Sequence, residues 1–195
     1  MESLETNAFV WSGSAGEGVR LGPLLSDQAM KILFMPGAGG DPTFWQPVAD
    51  RLPAAWQKTL LGWPGLGNQP PAPDVNGWGD LYRTVDERID GRVAIVAQSM
   101  GGVLAMQAAL AHPQSVSHLV LTATSGGIDL TPFQPQDWRD EYRRSHPRAP
   151  TWVYERPPGH EADLRGLTLD DHSHMFARER PDDVAPLISA HLAQS

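Results

Sequence analysis

"VAIVAQSMGGVLAMQAALA", residues Val93 to Ala111, joins two apolar segments of different period across a single serine. Its first part, up to Gln98, is a short run of small and β-branched residues, the pattern of a strand buried on both faces. Its second part, Met100 to Ala111, is apolar on every side, as a helix packed under a sheet should be, and it stops at His112-Pro113. Between them stands Ser99. A chain that only had to turn would place Asn, Asp, Gly or Pro there, because those residues accept turn dihedrals at little cost. A serine in that position is presented rather than merely tolerated.

The same grammar extends outward in both directions. Upstream, "KILFMPGAGG" at Lys31–Gly40 reads as a buried strand running into a glycine-rich loop, and Asp41-Pro42 is a helix start with an N-cap and a first-turn proline. "QKTLLGWPGLG" again runs apolar into Pro and Gly, and Trp78, Leu81, Tyr82, Val85 and Ile89 recur at helical spacing. Downstream, "SHLVLTATSGG" is the next strand. Alternating apolar runs and helical patterns predict an α/β chain: a mostly parallel sheet covered by helices on both faces. Beyond Gly127 the pattern weakens, and residues 124–160 read as a small cap or an irregular excursion. The last helix begins at Pro181-Asp182-Asp183, with Val184, Leu187, Ile188, His191 and Leu192 as its expected buried stripe.

Length and composition bound the rest. At 195 residues, 41% of them hydrophobic, the chain is expected to be one domain with a sizeable core. The 23 acidic and 15 basic residues give a formal charge of -8, which argues against nucleic acid or an anionic membrane surface as partner. There is no cysteine, so disulfides and thiolate metal sites are excluded. The start "MESLETNAFVW" shows neither an export signal nor a long apolar span, from which a cytoplasmic location is expected.

Ala97-Gln98-Ser99-Met100-Gly101 has the form G-x-S-x-G with alanine in the first glycine position. Small residues two before and two after the serine are what a tight strand-to-helix turn demands. Such a turn sets Ser99 at a helix N-terminus, where the Met100 N–H can point at a developing oxyanion. The bland alternative is a serine that simply caps the helix. Pro36-Gly37-Ala38-Gly39-Gly40 follows the first long strand, where a second oxyanion donor is expected; it lacks the Lys-Ser/Thr of a phosphate-binding loop. Together these motifs resemble the α/β-hydrolase superfamily, in its esterase-like branch, from about Ile32 to Gly127 and again over "HMFARERPDDVAPLI". The resemblance implies an α/β-hydrolase fold with a shortened C-terminal half and little or no cap. It also implies an oxyanion hole made by the N–H groups of Ala38 and Met100.

A serine hydroxyl needs a base to take its proton. Of seven histidines, His112, His118 and His191 sit where structural roles are expected, and His146 and His160 carry no motif. In similar hydrolases the base precedes a Glu-x-Pro helix entry by a few residues, which selects His174 ahead of Glu179-Arg180-Pro181. The acid of the triad would follow the penultimate strand, but the usual connecting segment is missing here. Asp163 is preferred, with Glu161 beside it after "TWVYE", Asp129 after the preceding strand, and Asp171 at the strand end next to His174 as alternatives. The run "DDHSH" also carries a metal reading, since histidines two apart on an extended segment share a face. No remote third ligand cluster accompanies it, and neither metal nor cofactor is expected.

The function implied is a serine hydrolase acting on a small-molecule carboxylic ester through an acyl-enzyme. Acyl transfer and perhydrolysis use the same groups. A hydrolase-like binding protein with a degenerate triad is the alternative from another class. Phe44, Trp45, Trp63 and Trp138 are either lining residues of an acyl pocket or ordinary core anchors.

Overall fold

Strands β1 (Phe9–Ser12), β2 (Lys31–Met35), β3 (Gln57–Leu60), β4 (Val93–Gln98) and β5 (Val116–Thr122) form one sheet in the order β1-β5-β4-β2-β3. This is a computed structural model, which describes residues 9–12, 30–124, 143, 144, 147 and 175–193. Strands β2 to β5 run parallel, and β1 pairs antiparallel on the edge of β5. β1 carries no signature in the sequence, because a four-residue edge strand has too few residues to show a period.

The residues of the parallel strands alternate between two cores. Leu33, Met35, Val93, Ile95, Ala97, Leu119 and Leu121 face one side, where helices α2 (Trp78–Asp86) and α3 (Met100–Ala111) contribute Leu81, Val85, Leu104 and Ala108. Ile32, Phe34, Ala94, Val96 and Val120 face the other. There they meet a 3-10 turn at Pro42–Trp45, the short helix α1 (Gln46–Ala49), and the C-terminal helices α4 (Phe176–Glu179) and α5 (Pro181–Leu192). Period-2 burial in the strands therefore places helices on both faces.

Local signals account for the boundaries. Asp41 accepts a hydrogen bond from the Thr43 N–H at 2.8 Å, so it caps the 3-10 turn as its sequence position predicts. Among the described residues, no helix is long and apolar enough to cross a membrane. One expectation is corrected in α5. Leu187 is 56% exposed, and the stripe that meets the sheet is Pro181, Ala185, Ile188 and Leu192. The buried stripe shares Ile188 and Leu192 with the expected one, Val184 and His191 are partly buried beside it, and Leu187 falls at the far edge of the expected arc, outside the contact.

Candidate active site

Ser99 joins the central strand β4 to the N-terminus of α3 with φ 52° and ψ -122°. A positive φ in a residue with a side chain costs on the order of 1–3 kcal/mol and persists only where its surroundings over-determine it. Those surroundings can be named. The Ser99 N–H donates to Thr122 O at 2.9 Å, the Gly102 N–H donates to Ser99 O at 2.9 Å, and the Thr122 hydroxyl donates to Ala97 O at 2.9 Å. The Ser99 side chain makes no capping hydrogen bond. It is thus not serving as the helix cap that the bland reading would have required.

The requirement for small neighbours has a visible cause. A Cβ on Gly101 would stand 2.5 Å from Pro36 O and 2.9 Å from Met35 O, and one on Gly102 would stand 2.7 Å from Thr124 side-chain atoms. Ala97 is fully buried in the core. The first turn of α3 therefore lies directly on the chain leaving β2.

Strands β2 and β4 are neighbours with Met35 opposite Ala97, so the Pro36–Gly40 loop and the Ser99 turn leave the sheet side by side at its carboxyl edge. Such an edge is where open α/β sheets bind ligands. Gly37 touches Gln98 and Ser99. The loop closes on itself through Gly40 N–H to Gly37 O at 3.1 Å, and Ala38 sits at its middle, partly exposed. Among the expected site residues, then, Ser99, Met100 and Ala38 are brought to one edge of the sheet. His174, Asp163, Glu161, Asp129 and Asp171 lie outside the described residues, as do Trp138 and most of the 124–160 excursion.

Phe44, Trp45 and Trp63 resolve as anchors. Phe44 is 5% exposed, and both tryptophans are fully buried. The Trp45 indole N–H donates to Met35 O at 3.0 Å, and that of Trp63 donates to Pro36 O at 2.8 Å. Phe176 packs edge-on against Phe44 and Trp45, with ring centroids 6.2 and 6.0 Å apart, and Arg178 pairs with Asp41 at 3.4 Å. The start of α4 is thereby fixed to the segment that follows the glycine loop. Gln98, a buried polar residue next to Ser99, was not singled out by the sequence.

The described histidines occupy structural settings. His112 Nε2 lies 2.6 Å from Asp86 Oδ1, joining the ends of α3 and α2. His118 is buried on β5 with its ring edge-on to His191 of α5, centroids 5.3 Å apart. Burial, then His191 and Arg92, hold the His118 pKa below the usual histidine value.

A family model described as alpha/beta hydrolase fold matches residues 32–181. The chain belongs to that family. Within the α/β-hydrolase fold, the type II thioesterase BorB from the borrelidin biosynthetic cluster superposes with a TM-score of 0.58 at 21% identity, over 86% of this chain and 92% of that one. NosK from Streptomyces actuosus gives 0.56 at 16% identity, over 85% and 98%. At these identities the likeness is one of fold. In sequence, the chain is similar to the pimeloyl-[acyl-carrier protein] methyl ester esterase of Neisseria meningitidis, 31% identical over 114 residues, 57% of this chain and 43% of the esterase. It also matches the polyketide synthase ThaQ of Burkholderia thailandensis, 31% identical over 123 residues, 61% of this chain and 6% of the synthase. The chain spans less than half the length of these curated relatives.

Proposed function

We propose that this α/β-hydrolase is a serine hydrolase of acyl esters, including thioesters, with Ser99 as nucleophile. The observation that carries this reading is the strained Ser99 turn, set against the Pro36–Gly40 loop at the carboxyl edge of the sheet. Strain of this kind in a turn that makes no capping bond is what a nucleophile elbow requires. The esterase and thioesterase names among the similar proteins support the same chemistry, and they do not favour a binder with a degenerate triad.

In the reaction, His174 accepts the Ser99 proton as Oγ bonds to the acyl carbon. The carbonyl electron pair moves onto oxygen, where the N–H groups of Ala38 and Met100 stabilise it, helped by the dipole of the twelve-residue helix α3. The bond to the leaving oxygen or sulfur then breaks, and that atom takes the proton back from His174. Water, deprotonated by His174, attacks the acyl-enzyme; the acyl bond to Ser99 Oγ breaks, Oγ takes that proton back from His174, and the acid leaves. Asp163 is the preferred partner for His174, ahead of Glu161, Asp129 and Asp171. Phe176, two residues beyond His174 in the sequence, is anchored on Phe44 and Trp45. Labelling by an organophosphonate probe, mapped by mass spectrometry, tests the assignment. Stoichiometric modification of Ser99 is expected, and a wild-type protein that stays unlabelled under conditions that modify a control esterase would contradict it.

A further inference from the structure

We propose that Trp63 is the positioning residue of the oxyanion loop, holding both of its ends and through them the plane of the Ala38 amide. The inference rests on the oxyanion role given to Ala38 above. Trp63 is fully buried and donates twice into one five-residue loop: its indole N–H to Pro36 O at 2.8 Å, and its backbone N–H to Gly40 O at 3.0 Å. Gly40, so held, donates its own N–H to Gly37 O at 3.1 Å. In a planar trans peptide the C=O and N–H point in opposite directions, so fixing Gly37 O fixes the direction of the Ala38 N–H carried by the same plane. The chain of bonds runs from Trp63 to Gly40, from Gly40 to Gly37, and ends at the amide expected to meet the oxyanion.

The other contacts of the loop act in the same sense. Pro36 O, which accepts from the indole, also abuts Gly101, two residues past Ser99, where a Cβ would stand 2.5 Å away. Displacing that carbonyl therefore displaces the loop relative to the nucleophile. From the other side, the segment carrying Trp63 closes over the loop through glycines. Gly67 has φ +55°, and a Cβ there would overlap Gly39 O; Gly40 has φ +67° and lies against Leu66 O. A residue with two buried donors on the first and last carbonyls of a short loop leaves it little freedom to re-aim its amides.

The test compares wild type, Trp63→Phe, Gly67→Ala and Trp45→Phe by ester hydrolysis and by hydrogen exchange of peptides spanning residues 36–40. Trp63→Phe removes the indole donor and keeps an aromatic ring. It should lower kcat by about 10- to 100-fold, the range for a misaimed reacting group, with KM changed less than about twofold, because an oxyanion contact is made in the transition state. Exchange of the loop should rise while peptides of β4 stay protected. Gly67→Ala, which pushes the loop from outside the core, should give the same split, and it carries the test if Trp63→Phe does not fold. Trp45→Phe loses an equally buried indole donor and should lower stability without selective exposure of the loop.

Unchanged kcat and loop exchange in a folded Trp63→Phe, or in Gly67→Ala where Trp63→Phe does not fold, would overturn the proposal. So would a loss in which all protected peptides open together in both variants. Ser99→Ala, run alongside, separates the two levels of the account. If it matches wild type, the serine mechanism fails, and loop exchange alone still judges the clamp.

Discussion

Gly37 and Ser99 are in direct apposition: a Cβ built on Gly37 would stand 3.0 Å from the Cβ of Ser99 and would overlap the side-chain amide of Gln98. The glycine loop and the strained turn are thus two walls of one candidate site, and a methyl group on Gly37 would enter only by displacing the Gln98 side chain and crowding Ser99. Gly37→Ala should lower kcat/KM for an activated ester by about 100-fold, since displacement of reacting groups by an ångström is enough for that. Its cost in stability should be the ~1–3 kcal/mol of overpacking. Steady-state kinetics and a urea titration read the two effects separately, and a fully active Gly37→Ala protein would show that the apposition is not needed.

Glycines elsewhere make the opposite prediction. Gly79 lies in α2 with open space where a Cβ would go, whereas Gly101 faces two carbonyls. Gly79→Ala should stabilise the protein by about 0.5–1 kcal/mol by restricting the unfolded chain within a helix. Gly101→Ala should destabilise it by ~1–3 kcal/mol. Chemical denaturation of the pair checks both signs at once.

His118 predicts a pH dependence of stability. Burial, followed by His191 from α5 and Arg92 ahead of β4, lowers its pKa in the folded state. The unfolded chain then binds more protons than the folded one between the lowered value and about 6.5. Stability is therefore complete above that range and falls as pH drops through it. The carboxylates of Asp90 and Asp182, held low by hydrogen bonds from Lys31 and Arg51, titrate further down and leave this window to the histidine. The urea midpoint should decrease from pH 7.5 to pH 5.5 in wild type, and His118→Gln should flatten that slope. An equal slope in the variant would assign it elsewhere.

On α5, Ile188 is 3% exposed and Leu187 is 56% exposed, although they are adjacent. Ile188→Ala should cost about 2–5 kcal/mol through loss of apolar contact and the cavity left behind. Leu187→Ser should fall within about 0.5 kcal/mol of wild type. Thermal melts of the two variants decide which face of the helix meets the sheet.

Much of this architecture is legible in the sequence because punctuation and period agree. The run from Val93 to Ala97 is continuous and apolar, the segment from Met100 is apolar all round, and a strand buried on both faces followed by a buried helix satisfies both. Leu187 was misplaced because a helical stripe read from sequence has no partner to narrow it. Phe44, Trp45 and Trp63 were ambiguous because an aromatic ring suits a pocket wall and a core equally. The indole bonds of Trp45 to Met35 and of Trp63 to Pro36 depend on pairs 10 and 27 residues apart, which no local pattern encodes. For Trp63 a hint existed. Four residues on, in "WPGLG", Gly67 meets the need for a close backbone approach, and the backbone approached is the glycine loop itself.

As proposed, Ser99 attacks an acyl carbon with His174 as its base. Hydrolysis of p-nitrophenyl acetate and butyrate at neutral pH by wild type, Ser99→Ala and His174→Ala tests it most directly. A clear wild-type rate is expected, falling by about 1,000-fold or more in each variant with folding unchanged, because nucleophile and base act as one unit. A wild-type rate no faster than that of Ser99→Ala would contradict it.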